Sequence, residues 1–157
     1  MKKKISCIVQ ARFNSKRFPG KVMLPVVNKP LLQHQLERLK KSNEINDLIL
    51  ATTIKKDDNQ LCKVANLLKV KVFRGDEKNV LKRYYDCAKN NKSSIIVRVT
   101  ADCPLIDVKY IDKLIKIFLK KNYDYLSNLN IDYIPDGFHC EIFKFSSLEK
   151  AYKLANS

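Results

Sequence analysis

Between its first apolar run and its first long helical pattern the chain reads Gln10-Ala11-Arg12-Phe13-Asn14-Ser15-Lys16-Arg17-Phe18-Pro19-Gly20-Lys21, which gathers four cations and one turn-permissive glycine in a short loop. Arginine forks and lysine point charges can neutralise a triphosphate directly, while Gly20 lets the backbone approach the anion. The segment is neither G-x-G-x-x-G nor a P-loop, which disfavours a dinucleotide fold and a Walker NTPase. A surface turn with solvated charges is the competing reading. A second segment, Arg98-Val99-Thr100-Ala101-Asp102-Cys103-Pro104-Leu105-Ile106-Asp107, sets a carboxylate just past a β-branched run. Mg²⁺ binds one or two carboxylates and otherwise prefers waters and phosphate oxygens, so Asp102 is the candidate ligand. Asp107 reads as a helix cap instead.

The elements that must position these groups follow from periodicity. Ile5 to Ala11 has the composition of a strand buried on both faces. From Pro30, a favoured first helical residue, Leu32, Leu36 and Leu39 recur at helical spacing. Leu48 to Thr53 predicts a second strand, followed by Asp57-Asp58-Asn59 as cap candidates and a helix through Leu61, Val64, Ala65 and Leu68. Val70 to Arg74, Asn79 to Asn90 and Ile95 to Thr100 continue as strand, helix and strand. A helix capped by Asp107 carries Ile111, Leu114, Ile115, Phe118 and Leu119. Tyr123 to Asn128 and Cys140 to Phe145 predict later strands around a turn at Pro135-Asp136-Gly137. Ser146 with Glu149 has capping-box spacing before a last helix through Leu148, Ala151, Tyr152 and Ala155.

Strands alternating with helices imply a three-layer α/β domain over residues 1–157 with a mainly parallel sheet. Such sheets bind ligands at the carboxyl ends of their strands. Polar residues collect there: Gln10 and Arg12, Thr52 and Thr53, Arg74 and Asp76, then Arg98, Thr100 and Asp102.

Lys+Arg 31 against Asp+Glu 16 gives a net charge of +15. Many of the lysines fall on the outward faces of the predicted helices, so the charge reads as a solvated surface with some attraction for anions and not as a nucleic-acid footprint. No apolar run is long enough to span a bilayer, and the start is no signal peptide. The five cysteines contain no C-x-x-C pair, so neither a disulfide framework nor a zinc knuckle is implied, and a reducing cytoplasm is expected. His34 and Cys103 read as bland side chains, and His139, Cys140 and Cys103 fit no metal spacing. Tyr84-Tyr85 reads as core and rim.

Arg12-x-x-Ser15-x-Arg17-x-Pro19-x-Lys21, with Lys29-Pro30-Leu31-Leu32 after it and Ala101-Asp102-Cys103-Pro104-Leu105-Ile106-Asp107 downstream, resembles the cytidylyltransferases that make CMP-activated acidic sugars. These are the acylneuraminate and 3-deoxy-manno-octulosonate cytidylyltransferases. The likeness is closest to their spore-coat polysaccharide branch, through Val72-Phe73-Arg74-Gly75 and Pro135-Asp136-Gly137, and it runs from Ile5 to about Tyr152. The resemblance implies a nucleotide-diphospho-sugar transferase fold of the glycosyltransferase-A-like type. It also implies transfer of CMP from CTP to a sugar hydroxyl with release of pyrophosphate. By the same likeness Arg12 and Lys21 grip the triphosphate, Arg17 and Ser15 assist, Gln10 and Ala11 lie beside the nucleotide, and Asp102 holds Mg²⁺. Arg74 and Arg83 are the weaker matches to the nucleotide pocket. A homodimer fits the family.

Two departures stand out. His139 occupies a position where the branch has an acidic residue, and family members usually continue beyond the last helix, so a C-terminally shortened chain is expected. A shortened, inactive nucleotide-binding or interaction module of the same fold is therefore the second reading.

Overall fold

A computed structural model of the chain describes residues 3–15, 17–129 and 134–155. Lys16, one of the four cations of the first loop, lies outside them. In chain order the elements are β1 (Ile5–Gln10), a ribbon of β2 (Pro25–Val26) and β3 (Lys29–Pro30), α1 (Leu31–Leu39), β4 (Asp47–Thr53), α2 (Asn59–Leu67), β5 (Lys71–Gly75), α3 (Val80–Asn90), β6 (Ile95–Thr100), α4 (Val108–Lys121), β7 (Tyr125–Ser127), β8 (Glu141–Lys144) and α5 (Phe145–Leu154).

Six strands form one sheet in the order β5-β4-β1-β6-β8-β7. β5, β4, β1 and β6 run parallel, and β8 is antiparallel to both β6 and β7. The expected mainly parallel sheet is present, but β8 wedges between β6 and β7, an order that local periodicity does not encode. Alternation along the strands splits the core between two faces. Cys7 and Val9 face one side with α1, α2 and α4 packed over them. Ile8 faces the other, under α3 and α5. Tyr85 stacks on Tyr152 at 4.3 Å and on Phe145 at 5.8 Å, joining α3 to α5.

Some predicted helix starts differ, each for a visible reason. Pro30 precedes α1 instead of opening it, because it pairs with Pro25 in the ribbon. Ser146 lies inside α5 and caps nothing; the Phe145 amide donates to the Ser94 carbonyl at 3.0 Å, so the incoming sheet meets the orphan N–H. Asp107 does cap α4, accepting from the amides of Lys109 and Tyr110. The Pro135-Asp136-Gly137 turn forms, with Gly137 at φ 91°.

The ribbon's two-residue turn holds Val27 at φ 47° and Asn28 at φ 63°. Both central residues of this hairpin type sit in the left-handed region, which suits Asn and strains a β-branched residue. Val27 is 82% exposed, so its side chain offsets little of that strain. Val27→Asn is expected to stabilise the fold by about 1 kcal/mol, read as a raised denaturant midpoint at unchanged slope.

Candidate nucleotide site

The chain passes from β1 outward to β4 and β5, then returns to place β6 on the opposite side of β1. That reversal opens a crevice between the loops leaving the carboxyl ends of β1 and β6. Ala11 and Ala101 open those loops, both almost fully buried. Their amides extend the ladder, Ala11 to the Ala51 carbonyl at 3.2 Å and Ala101 to the Gln10 carbonyl at 3.1 Å. The loops therefore start from fixed points.

The first loop folds back on itself. The Ser15 and Gly20 amides both donate to the Phe13 carbonyl, at 2.9 and 2.8 Å, and the Phe18 amide donates to Ser15 Oγ at 3.4 Å. Gly20 sits at φ 75°, and a Cβ there would stand 3.1 Å from the Phe13 ring. Beyond it a 3-10 turn over Lys21–Met23 buries Val22 and turns Lys21 inward. Lys21 Nζ donates to Asp102 Oδ2 at 2.5 Å, joining residues 81 apart in sequence across the crevice. Burial pushes the Asp102 carboxyl up, but hydrogen bonds from Lys21 and Thr100 outweigh it and hold the group below the ordinary carboxylate range. It is ionised at neutral pH.

Arg12 is half-buried and Arg17 exposed. Neither guanidinium makes a hydrogen bond or ion pair among the described residues, which leaves two uncompensated cations on the loop that carries Lys21. Ser15 is occupied in shaping the loop, and Gln10 is half-buried at the end of β1. Arg74 is fixed otherwise: Nε donates to the Thr53 carbonyl, Nη1 to Asn59 Oδ1 and Nη2 to the Lys55 carbonyl, at 2.7 to 2.9 Å. It ties β5 to the turn before α2. Arg83 is buried on α3, with the like charge of Arg12 acting on it.

Two residues that the sequence reading did not assign to the site shape it. Asp58, read as a helix-cap candidate, caps nothing; its buried carboxylate accepts from Thr52 Oγ1, Thr53 Oγ1, the Thr53 amide and the Phe13 amide. The last bond, at 2.7 Å, pins the first loop to the end of β4. Gln35, fully buried on α1, donates to the Thr100 carbonyl at 2.7 Å and props the end of β6. A glutamine in the apolar stripe of Leu32, Leu36 and Leu39 was the signal that could have revealed it.

On the far side of Asp102, His139 lines a cleft of about 190 Å³ with Thr100, Cys103 and Leu129. Burial raises the Cys103 thiol away from its reactive thiolate form. Among the described residues no three His, Cys, Asp or Glu side chains gather around one point that could hold a metal ion. No helix of the described residues is long and apolar enough to cross a membrane.

A profile of the cytidylyltransferase family matches residues 6–157. An uncharacterized protein of Methanocaldococcus jannaschii is 47% identical over 152 residues, covering 97% of this chain and 61% of its own length. The spore coat polysaccharide biosynthesis protein SpsF of Bacillus subtilis is 35% identical over 129 residues, 78% of this chain and 53% of its own length. A 3-deoxy-manno-octulosonate cytidylyltransferase of Solibacter usitatus is 36% identical over 114 residues, 71% of this chain and 44% of its own. The chain thus spans about half the length of the curated relatives it matches. Among solved structures, a cytidylyltransferase from Leptospira borgpetersenii superposes with a TM-score of 0.94 at 37% identity, over 98% of this chain and 65% of that one. A CMP-2-keto-3-deoxy-manno-octonic acid synthetase complexed with CTP shares the fold, with a TM-score of 0.77 at 17% identity, over 97% of this chain and 78% of that one.

Proposed function

The chain belongs to the cytidylyltransferase family, and on that premise we propose that it transfers CMP from CTP to a hydroxyl of an acidic sugar, releasing pyrophosphate, in the building of a surface polysaccharide. The observation that carries the reading is the meeting of Lys21 and Asp102 at the β1/β6 crevice, with the unpaired cations Arg12 and Arg17 carried on the same loop as Lys21. The sugar hydroxyl attacks the α-phosphorus of CTP, a P–O bond forms, and the bond to the pyrophosphate oxygen breaks. Negative charge grows on the departing pyrophosphate, where fixed cations stabilise it.

In this reading Arg12 and Lys21 hold the triphosphate, and Arg17 and Ser15 support them from the loop. Gln10 and Ala11 flank the nucleoside. Asp102 suits Mg²⁺: it is an ionised carboxylate on an open crevice, and this hard ion asks for few protein oxygens when phosphates supply the rest. Held by Asp102, Mg²⁺ would supply positive charge to the phosphates. Lys21 then exchanges its carboxylate partner for a phosphate oxygen, so the pair in the free chain keeps both groups ordered until the nucleotide arrives. The acidic sugar is supported by the relative named for 3-deoxy-manno-octulosonate and the polysaccharide role by the relative named for the spore coat. Nucleoside triphosphates belong to the cytoplasm, where this reaction is assigned.

Titration calorimetry with CTP, UTP, ATP and GTP, with and without Mg²⁺, tests the reading. Magnesium-dependent binding that favours CTP is the expected result. CTP binding without pyrophosphate release in the presence of acidic sugars would favour an inactive nucleotide-binding module, and no binding of any nucleotide would defeat both.

A further inference from the structure

The ribbon of β2 and β3 carries its apolar side chains into solvent. Val26 is 44% exposed and Val27 82%, with Leu24 exposed just before them. Val27 holds that place in the left-handed region, at φ 47°, where a β-branched residue is strained. The tip is anchored: His34 of α1 donates from Nε2 to the Val26 carbonyl at 2.7 Å, and the Leu31 amide donates to the Leu24 carbonyl at 3.0 Å. A strained, exposed valine on an anchored tip gains nothing inside the chain, so its gain lies in a contact outside it.

His34 also connects the tip to a cationic cleft. With Arg38 and Lys41 of α1 it lines a cleft of about 390 Å³, whose other wall is Asp107, Val108 and Lys109 at the start of α4. Arg38, Lys41 and Lys109 are exposed, and none of the three makes an ion pair among the described residues. The carboxylates of the cleft are already engaged, Glu37 by Lys29 Nζ at 3.0 Å and Asp107 by the amides of Lys109 and Tyr110. Leu105, 63% exposed, lies two residues before Asp107 in the loop that leaves β6. Exposed aliphatic side chains thus adjoin three uncompensated cations, on a chain of net charge +15.

That combination selects the partner. The valines and the leucine protrude from separate loop tips, and a deformable apolar phase takes such side chains without matching their shape. Nucleic acid would offer the cations phosphates but give the aliphatic tips nothing to enter. A bilayer surface offers both, and no helix of the described residues is long and apolar enough to cross one, so the contact is with the surface.

We propose that this side of the molecule is a peripheral membrane-binding surface. Val26, Val27 and Leu105 enter the headgroup boundary of an anionic lipid bilayer, and Arg38, Lys41 and Lys109 meet its phosphates. Each set is weak by itself, and stable attachment takes both. Neither set includes Lys21 or Asp102, so the inference stands apart from the choice of nucleotide and sugar.

The test is flotation of the intact chain with vesicles of phosphatidylcholine alone and of phosphatidylcholine mixed equally with phosphatidylglycerol, with glycerol 1-phosphate as a soluble competitor. Wild type is expected to bind the mixed vesicles about tenfold or more tighter than the neutral ones, to be released by salt, and to ignore the competitor. Val27→Asn removes an apolar anchor and relaxes the backbone, and should weaken binding about tenfold while the melting temperature holds or rises. Arg38→Gln/Lys41→Gln/Lys109→Gln should weaken it roughly a hundredfold. The chain has no tryptophan, so Val27→Trp supplies a single probe whose emission should shift to the blue on mixed vesicles. Binding that falls with salt but ignores Val27→Asn would be adsorption of a cationic chain and would overturn the proposal. Displacement by glycerol 1-phosphate would make the cleft a site for soluble anions and overturn it too. Self-association without vesicle binding, abolished by Val27→Asn, would give the surface to a second copy of the chain instead. Unchanged tryptophan emission on bound vesicles overturns the proposal even if Val27→Asn does not fold.

Discussion

Asp102→Asn is expected to slow CTP-dependent pyrophosphate release by roughly a thousandfold while leaving the melting temperature nearly unchanged. Asp102 is exposed, and its ion pair with Lys21 bridges two half-exposed groups, so removing the charge costs the fold little. Chemistry should suffer instead, because an amide is a poor ligand for a hard cation. Removing Asp102 also frees the Lys21 ammonium. Binding of CTP without Mg²⁺ should therefore persist or tighten, while the gain in affinity on adding Mg²⁺ disappears. A variant that keeps more than about a tenth of the wild-type rate, or that still responds to Mg²⁺, would remove Asp102 from the metal-binding role.

Asp58→Asn is the second large expectation, and it should act through both stability and the first loop. The carboxylate is 2% exposed and accepts four hydrogen bonds from Thr52, Thr53 and Phe13. An amide turns an NH₂ toward donors, leaving at least one buried donor unpaired, at a cost of about 3 kcal/mol and a fall of roughly 10 °C in Tm. Losing the Phe13 bond also loosens the segment that presents Arg12, so CTP affinity should fall by about tenfold. The Thr52→Val/Thr53→Val double variant separates the two effects, because it weakens the same knot but leaves the Phe13 bond. It should lose stability and keep CTP affinity.

The same carboxylate gives a pH signature with a fixed sign. Burial alone would raise the Asp58 pKa, but the bonds from Thr53, Phe13 and Thr52 hold it below the ordinary range. A depressed native pKa contributes stability that is complete above the unfolded value and is lost as pH falls through the native one. The stability gap between wild type and Asp58→Asn should therefore narrow on acidification, seen as converging thermal melts. A gap that widens would mean that the carboxylate is not the ionised acceptor described above.

Strand and helix identities were legible because a strand buried on both faces reads as a short, β-branched apolar run, as Ile5 to Gln10 does, while a helix repeats its apolar residues at a period of 3.6, as Ile111 to Phe118 do. The crevice was legible too, since polar residues just past apolar strands have few other places to go. What local pattern could not carry was partnership at a distance. Asp58 looks like a helix cap in sequence, and only the return of the first loop shows that its carboxylate serves Phe13 and the threonines. Arg74 and Arg83 look alike as strand-end and helix cations, yet one guanidinium is fully bonded to carbonyls and Asn59 while the other keeps two orphan donors. The insertion of β8 beside β6 is likewise a long-range choice, fixed by pairing between residues more than forty positions apart.

That insertion also orders events during synthesis. Until Glu141–Lys144 has emerged, the backbone of β6 has a bare edge, Arg98 lacks its Glu141 partner, and Phe143 is missing from the face it shares with Tyr84 and Tyr85. A nascent chain that stops short of this strand holds its phosphate loops and most of its parallel sheet, yet displays an open β-edge of the kind that pairs with other chains. Completion of this sheet thus waits on four residues that follow α4 and β7 in the chain, and the interval before they arrive is when a protecting chaperone would matter most.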